Sequence, residues 1–320
     1  MRAGLTGFGV RGSGFGVLRS VVLRSLVLGS VVLVLGSMVL GSMVLGSTAH
    51  AADDAPKVDE LLERVATRIA EFYRRAENVI CIEKSVVQHL GIDQSLDGMA
   101  RVVESELHVE SDEADGGEAK VVREIKTING RPPRQRDKKD RAACMDPEPL
   151  SIEPLSFLLP AHRAEYVFTV AGTKKDRDRE MLLIDFATKE RNTKLELIED
   201  PGGHDDCYGW EGSVARSGRI WVDPTTYDVS RVDEQFKGRV DVKVPYKLQR
   251  RSRLEQYVVI ERYNTTKRYK VVSFQDPSET LLLPESIDEL MLVHGGLSST
   301  RRSQRFSNYR RFLTGGRVVK

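Results

Sequence analysis

The sequence predicts an α+β protein: a curled antiparallel sheet forming a half-open β-barrel of about ten or eleven strands, with an amino-terminal helix and a short helix on its concave face. Three observations carry this. Between Val58 and Ala76 the apolar residues repeat at the helical period, and from residue 79 onward the period changes to 2 and largely stays there. The runs of period 2 are divided by Gly, Pro, Asp and Asn clusters, the punctuation of antiparallel turns. That much strand in one domain is too much to stay flat, so the sheet must curl.

The first elements are not structural. Residues 1–24 hold Arg2, Arg11, Arg19 and Arg24 and no acid, residues 25–49 hold no charge, and Ala49 and Ala51 in "TAHAADD" fit a small-residue cleavage site. The expectation is a secretory signal over residues 1–51 and a single domain over 52–320. The uncharged run is long for a signal core, and a span of ~20 apolar residues also crosses a bilayer, so an uncleaved anchor is the alternative. "VLGS" recurs at 27–30, 34–37, 39–42 and 44–47 as low complexity inside this leader. Removing the leader takes away four arginines and no acid, and the formal charge moves from +2 to −2. A globally basic nucleic-acid binder is thereby excluded, and the expected location is the periplasm of a Gram-negative envelope or the outside.

Along the mature chain, Val58, Leu61, Leu62, Val65, Ile69, Phe72 and Tyr73 form one face of a helix ending near Asn78. Strands are expected at 79–90, 99–110, 119–128, 164–171, 180–187, 193–199, 218–223, 226–236, 253–263, 267–275 and 286–293. "SIEPLSFLLP" reads as the short helix lying on the sheet. "DPTT" at 223–226 is the turn of a hairpin whose first arm alternates poorly: Ile220 and Val222 face one way, and Trp221 stands between Arg219 and Asp223 on the other. Either Trp221 lines the rim of a cavity, or it packs on the aliphatic stems of its neighbours.

Of three cysteines, Cys81 lies between Ile80 and Ile82 in a strand pattern and reads as a buried thiol. Cys144 and Cys207 sit in loop-like sequence and are expected to pair in an oxidising compartment. The chain has no H-E-x-x-H, no G-x-S-x-G and no Walker loop. His204, Asp205, Asp206 and Cys207 are ligand types, but as near neighbours in one turn they do not converge on an ion, so neither metal nor cofactor is expected. The carboxylates are not isolated in apolar settings, and the expectation is a protein without catalytic activity. In the tail, Arg301, Arg302, Arg305, Arg310 and Arg311 alternate with Phe306, Tyr309 and Phe312. This is either a patch for anionic lipid headgroups or a partner, or a last edge strand with its arginines outward.

"INGRPP" after the third strand, and "GRIWVD" leading through a turn to "DVSRVD", resemble the outer-membrane lipoprotein carrier (LolA-like) superfamily and its lipoprotein-sorting relatives. "LLLPESIDEL" and "QRFSNYRRF" resemble a family of uncharacterised secreted proteins of soil bacteria on the same fold. The resemblance implies a half-open barrel whose apolar concave face, lidded by helices, holds acyl chains. Trp221 and its hairpin carry over, and Trp210, Phe236 and Tyr257 join it as candidate cavity residues. The leading expectation is therefore a periplasmic protein binding a lipid or the acyl part of a lipoprotein, with peripheral membrane contact and no nucleic acid. The alternative is an envelope structural or protein-interaction module whose cavity is filled by its own side chains. Intact mass of the exported protein should place its amino terminus at Ala52 and show the two-hydrogen deficit of one disulfide; any other terminus, or a fully reduced mass, removes these two expectations.

Overall fold

The computed structural model describes residues 10–11, 58–75, 79–111, 119–134, 155–190, 193–199, 207–275 and 278–311. The proposed cleavage site, Cys144, the cluster 204–206 and Phe312 lie outside these residues. A pair of residues, Val10–Arg11, runs parallel to Trp210 and Glu211.

Helix α1 spans Val58–Arg75, with Asp59 and Glu60 in its first turn, where carboxylates favour the helix dipole. Thirteen strands follow. They are β1 (Val79–Leu90), β2 (Leu96–Ser111), β3 (Ala119–Ile128), β4 (Tyr166–Asp176), β5 (Arg179–Thr188), β6 (Lys194–Glu199) and β7 (Tyr208–Ser213). After them come β8 (Arg216–Val222), β9 (Val229–Phe236), β10 (Val240–Lys243), β11 (Tyr257–Gln275), β12 (Ser278–His294) and β13 (Ser299–Arg311). A 3₁₀ turn at Ser156–Leu158 and the four-residue α2 (Pro160–Arg163) precede β4, and α3 (Tyr246–Ser252) precedes β11.

Ten of the strands form one antiparallel sheet in the order β4-β5-β8-β9-β11-β12-β13-β1-β2-β3. Edge strands β3 and β4 are not paired with each other, so the curled sheet stays half open. The long β11 belongs to two arrangements at once. Residues 264–268 pair with β9, while residues 257–260 pair with β10, which carries β6 and β7 as a side branch.

The curled antiparallel sheet with its amino-terminal helix is the expected architecture, and the differences are local. Strands expected at 253–263 and 267–275 are one continuous β11, because "NTTK" between them stays extended and paired on both sides. Strands β7 and β10 and helix α3 fall in segments whose Gly content, shortness or charge hid them. β13 is not an edge: it lies between β12 and β1.

Helix α1 and the 3₁₀ turn cover the inward face of one half of the sheet. Leu61, Leu62, Val65 and Ile69 pack with Leu155 and Leu158 on Ile184, Ile220, Val222 and Val232. The Leu155 amide donates to the Tyr73 hydroxyl at 2.6 Å, tying the turn to the helix. At the other end, the side branch and α3 bury Leu197, Val242, Leu248, Val258, Ile260 and Val293 in a second cluster. Each such side chain stabilises by about 1.5–3 kcal/mol relative to exposure. Leu61 is 1 % exposed and Ile92 99 %. Leu61→Ala should therefore lose about 2–5 kcal/mol in urea unfolding while Ile92→Ala stays within about 0.5 kcal/mol of the parent; equal effects would show that α1 is not docked in solution.

Candidate functional site

The inward face is built by strand parity, and parity puts charge on it. One transverse row runs Phe186, Gly218, Glu234, Thr265, Glu289, Arg302, Val87 across directly paired strands. The next runs Ile184, Ile220, Val232, Lys267, Ile287, Gln304, Ser85, Val103. Both rows are apolar on β5 and β8; charge enters with Glu234 on β9 and Lys267 on β11, and beyond that polar residues are interleaved with Ile287, Val87 and Val103. The inward face thus combines apolar clusters with a belt of charge, where the resemblance implied an apolar lining throughout.

Within the belt the charges are paired. The Arg123 guanidinium donates to both Glu83 oxygens, at 2.8 and 3.0 Å, and the Gln304 amide adds a bond of 2.6 Å to the same carboxylate. The side chains of Arg123 and Glu83 are 3 % and 1 % exposed. Arg302 meets Glu289 at 3.4 Å, and Glu289 also accepts the Tyr263 hydroxyl proton at 2.7 Å. Burial raises the Tyr263 phenol far above its ordinary value, and the Glu289 carboxylate pushes the same way. Glu234 takes Arg216 at 2.9 Å and Lys267 at 3.6 Å. Burial alone would raise Glu234, but Lys267 and then Arg216 outweigh it and hold the carboxyl below its ordinary range. Beside Glu83, the hydroxyls of Ser85 and Ser105 are buried without a hydrogen-bond partner. Gly218 sits in the row because a Cβ there would lie 2.1 Å from the Asp233 carbonyl and 2.6 Å from the Phe186 ring.

The candidate residues are scattered. Trp210 and Phe236 share the cluster under the side branch, buried and packed, with Phe236 stacked on Tyr263 at 4.5 Å. Tyr257 begins β11 and is 44 % exposed. Trp221 stands on the face opposite α1, packed with Met181 and Leu183. Its indole N–H donates to Asp233 at 3.0 Å, and the Arg231 and Lys174 cations lie 5.0 and 5.8 Å from the ring centroid. That answers what covers the second face of this strand: two apolar neighbours and two cationic side chains. A shallow groove of about 560 Å³ lies farther along the same outer face, lined by Asp185, Arg219, Asp233 and Thr266, and Trp221 does not line it.

The tail arginines divide between the two faces, with the irregularity between Ser307 and Arg310 reversing the alternation. Arg302 points inward to Glu289, and Arg311 to Glu279 at 2.5 Å and to the Arg75 carbonyl. Arg305 pairs with Asp288 and Arg310 with Glu106, both at 2.8–2.9 Å, and Arg301 is exposed. Cys81 is the free cysteine among the described residues, and burial, helped by Glu83, pushes its thiol up to about 12. No group of three or more metal-ligating side chains occurs among the described residues.

The missed feature is the belt, and its signal was present: Glu83 and Ser85 sit at the same parity as Cys81 and Val87, and Glu234 at that of Val232 and Phe236. A charge in phase with the apolar side of a strand marks an inward polar position.

No protein-family model matches the chain, and no curated protein matches it. Several solved structures are similar to it. An outer membrane lipoprotein-sorting protein domain from Vibrio parahaemolyticus shares 11 % identity over 82 % of this chain and 96 % of its own, with a TM-score of 0.37. A LolA superfamily protein from Nitrosomonas europaea shares 8 % over 82 % and 97 %, at 0.30. A DUF1329 family protein from Desulfovibrio piger shares 7 % over 81 % and 95 %, at 0.34. The half-open curled antiparallel sheet with its inward helix stands on the chain's own strand order and packing.

Removing one member of the buried pair leaves the other charge uncompensated. Arg123→Ala should cost about 3–5 kcal/mol in chemical unfolding, while Glu83→Leu combined with Arg123→Met should recover most of that loss; additive losses would show that the pair does not act as a unit.

Proposed function

We propose that this is a non-catalytic protein of the cell envelope, exported by residues 1–51 and folded as one domain over 52–320 in the periplasm, whose half-barrel is filled by its own chain and works as an interaction module. The observation that carries this reading is the occupancy of the inward face. Leu61, Val65 and Leu158 are at most 1 % exposed where an apolar guest would lie. The space beside α1, between Phe72, Leu155 and Leu281, is about 30 Å³. That holds a water or so, against roughly 300–1,000 Å³ for a drug-sized ligand. The Cys144–Cys207 disulfide belongs to the same proposal, supported by Cys81 being the free thiol among the described residues.

A second reading is favoured by one specific observation. The floor under α1, formed by Ile184, Ile220, Val222 and Val232, is wholly apolar, and α1 is held at its solvent side by polar contacts, Arg64 to Tyr227 at 2.7 Å and Arg68 to Asp228 at 3.1 Å. A helix so held is a lid over a surface suited to a lipid or lipoprotein acyl chain. Native mass spectrometry of protein purified from a bacterial periplasm without detergent, followed by organic extraction, separates the two. A bare protein mass that takes up no added phospholipid or lipopeptide is the expected result; a stoichiometric lipid would overturn the self-filled reading and make α1 the lid.

A further inference from the structure

We propose that one end of the half-barrel is a docking surface for an anionic membrane, formed by the tip of the β1–β2 hairpin together with α3 and the segment that follows it. Ile92 and Met99 are 99 % and 92 % exposed and Leu96 is 68 % exposed, all within one hairpin. Isolated exposed apolar residues are ordinary, but three within eight residues of one hairpin concentrate apolar surface at its tip and call for a partner.

The tip is braced rather than loose. The Gly91 amide donates to the Ser95 carbonyl and the Gln94 amide to the Gly91 carbonyl, both at 2.9 Å. Asp93 Oδ1 accepts the Ser95 amide at 3.0 Å and the Ser95 hydroxyl at 2.6 Å, which closes the turn and engages the carboxylate. The Gln88 amide donates to the Asp97 and Gly98 carbonyls at 2.9 and 3.3 Å, fixing the arm that carries Met99. A preformed tip avoids the ordering cost that a floppy loop meets on binding.

The neighbouring elements supply the charge. Leu90 pairs with Ser299, so the hairpin tip adjoins the β12–β13 turn. That turn lies against the segment after α3: the Glu255 amide donates to the Gly295 carbonyl at 3.3 Å, and a Cβ at Gly295 would meet the Tyr257 carbonyl at 2.5 Å. From Lys243 to Tyr257 the chain carries five cations and one carboxylate, Glu255. Tyr246 is 70 % exposed with Arg250 5.9 Å from its ring centroid, and Lys247 and Arg251 both reach Glu199, at 3.3 and 3.0 Å. Aliphatic side chains to enter the interface, tyrosines for the headgroup level and a surplus of cations are the chemistry of an anionic lipid surface. The inference stands apart from what the barrel holds, since none of these residues faces its interior.

The test is co-sedimentation of the exported protein with vesicles of phosphatidylcholine, alone or mixed with phosphatidylglycerol, at low and high salt. The parent should bind the mixed vesicles and release at high salt. Ile92→Asp with Met99→Asp should lower binding by about tenfold or more, and Lys247→Glu with Arg250→Glu should lower it similarly and flatten the salt dependence. All four positions are exposed, so unchanged thermal unfolding is the control. A parent that fails to bind mixed vesicles, or variants that bind as it does, would overturn the proposal. The vesicle result and the native mass are independent readouts, so either reading can fail alone.

Discussion

A sheet of ten antiparallel strands has two faces to cover, and the described residues hold one long helix, α1 of 18 residues, to cover them with. At 1.5 Å per residue that helix reaches about 27 Å. It lies chiefly over β5, β8 and β9, reaches Tyr269 of β11 and Leu281 and Leu283 of β12 at its end, and leaves most of β13, β1, β2 and β3 without it. The rest of the inward face therefore has to be covered by the sheet's own side branch at one end or made tolerant of partial solvation in the middle. Both solutions are present: the branch buries an apolar cluster, and the middle carries paired charge.

The belt has a physical cost that shapes what the interior can do. Desolvated ion pairs such as Glu83–Arg123 are weak contributors to net stability, because the loss of hydration offsets most of the attraction. They are strong determinants of geometry, because a misplaced partner leaves a bare charge. A lipid tail laid across the belt would strip Glu234, Glu289 and Arg302 of what solvation they keep, while one laid under α1 would touch only hydrocarbon. The two halves of the inward face are chemically different compartments of one cup.

The α1 register, the sheet class and most strand positions were legible because all three depend on periodicity, which survives without tertiary context. Helix α1 was legible to the residue on its buried face: Leu61, Leu62, Val65 and Ile69. What was not legible depended on pairing. The aromatic residues Trp210, Trp221, Phe236 and Tyr257 were grouped by type, yet strand parity sends Trp221 to the outer face, and Tyr257 lies at an exposed strand start. The arginines of β13 read as one patch because a sequence cannot show which strand lies alongside; with β12 and β1 as neighbours, Glu289, Asp288 and Glu106 come within reach of them. The exposed hairpin tip is not legible because Ile92, Leu96 and Met99 fall at i, i+4 and i+7, a helical spacing, among the turn-forming Gly91, Asp93, Ser95 and Gly98.

The position of β13 also bears on how the molecule is made. Residues 299–311 fill the gap between β12 and β1, so β1 has one of its two neighbours supplied from far along the chain, with Glu83 and Gln304 separated by 221 positions. Until that segment pairs, β1, β2 and β3 form only a meander with an open hydrogen-bonding edge on β1. Pairings this distant in sequence make assembly slow and leave strand edges exposed to wrong partners. Completion of the half-barrel thus waits on one long-range pairing, and the strands on either side of β13 depend on that pairing for a neighbour.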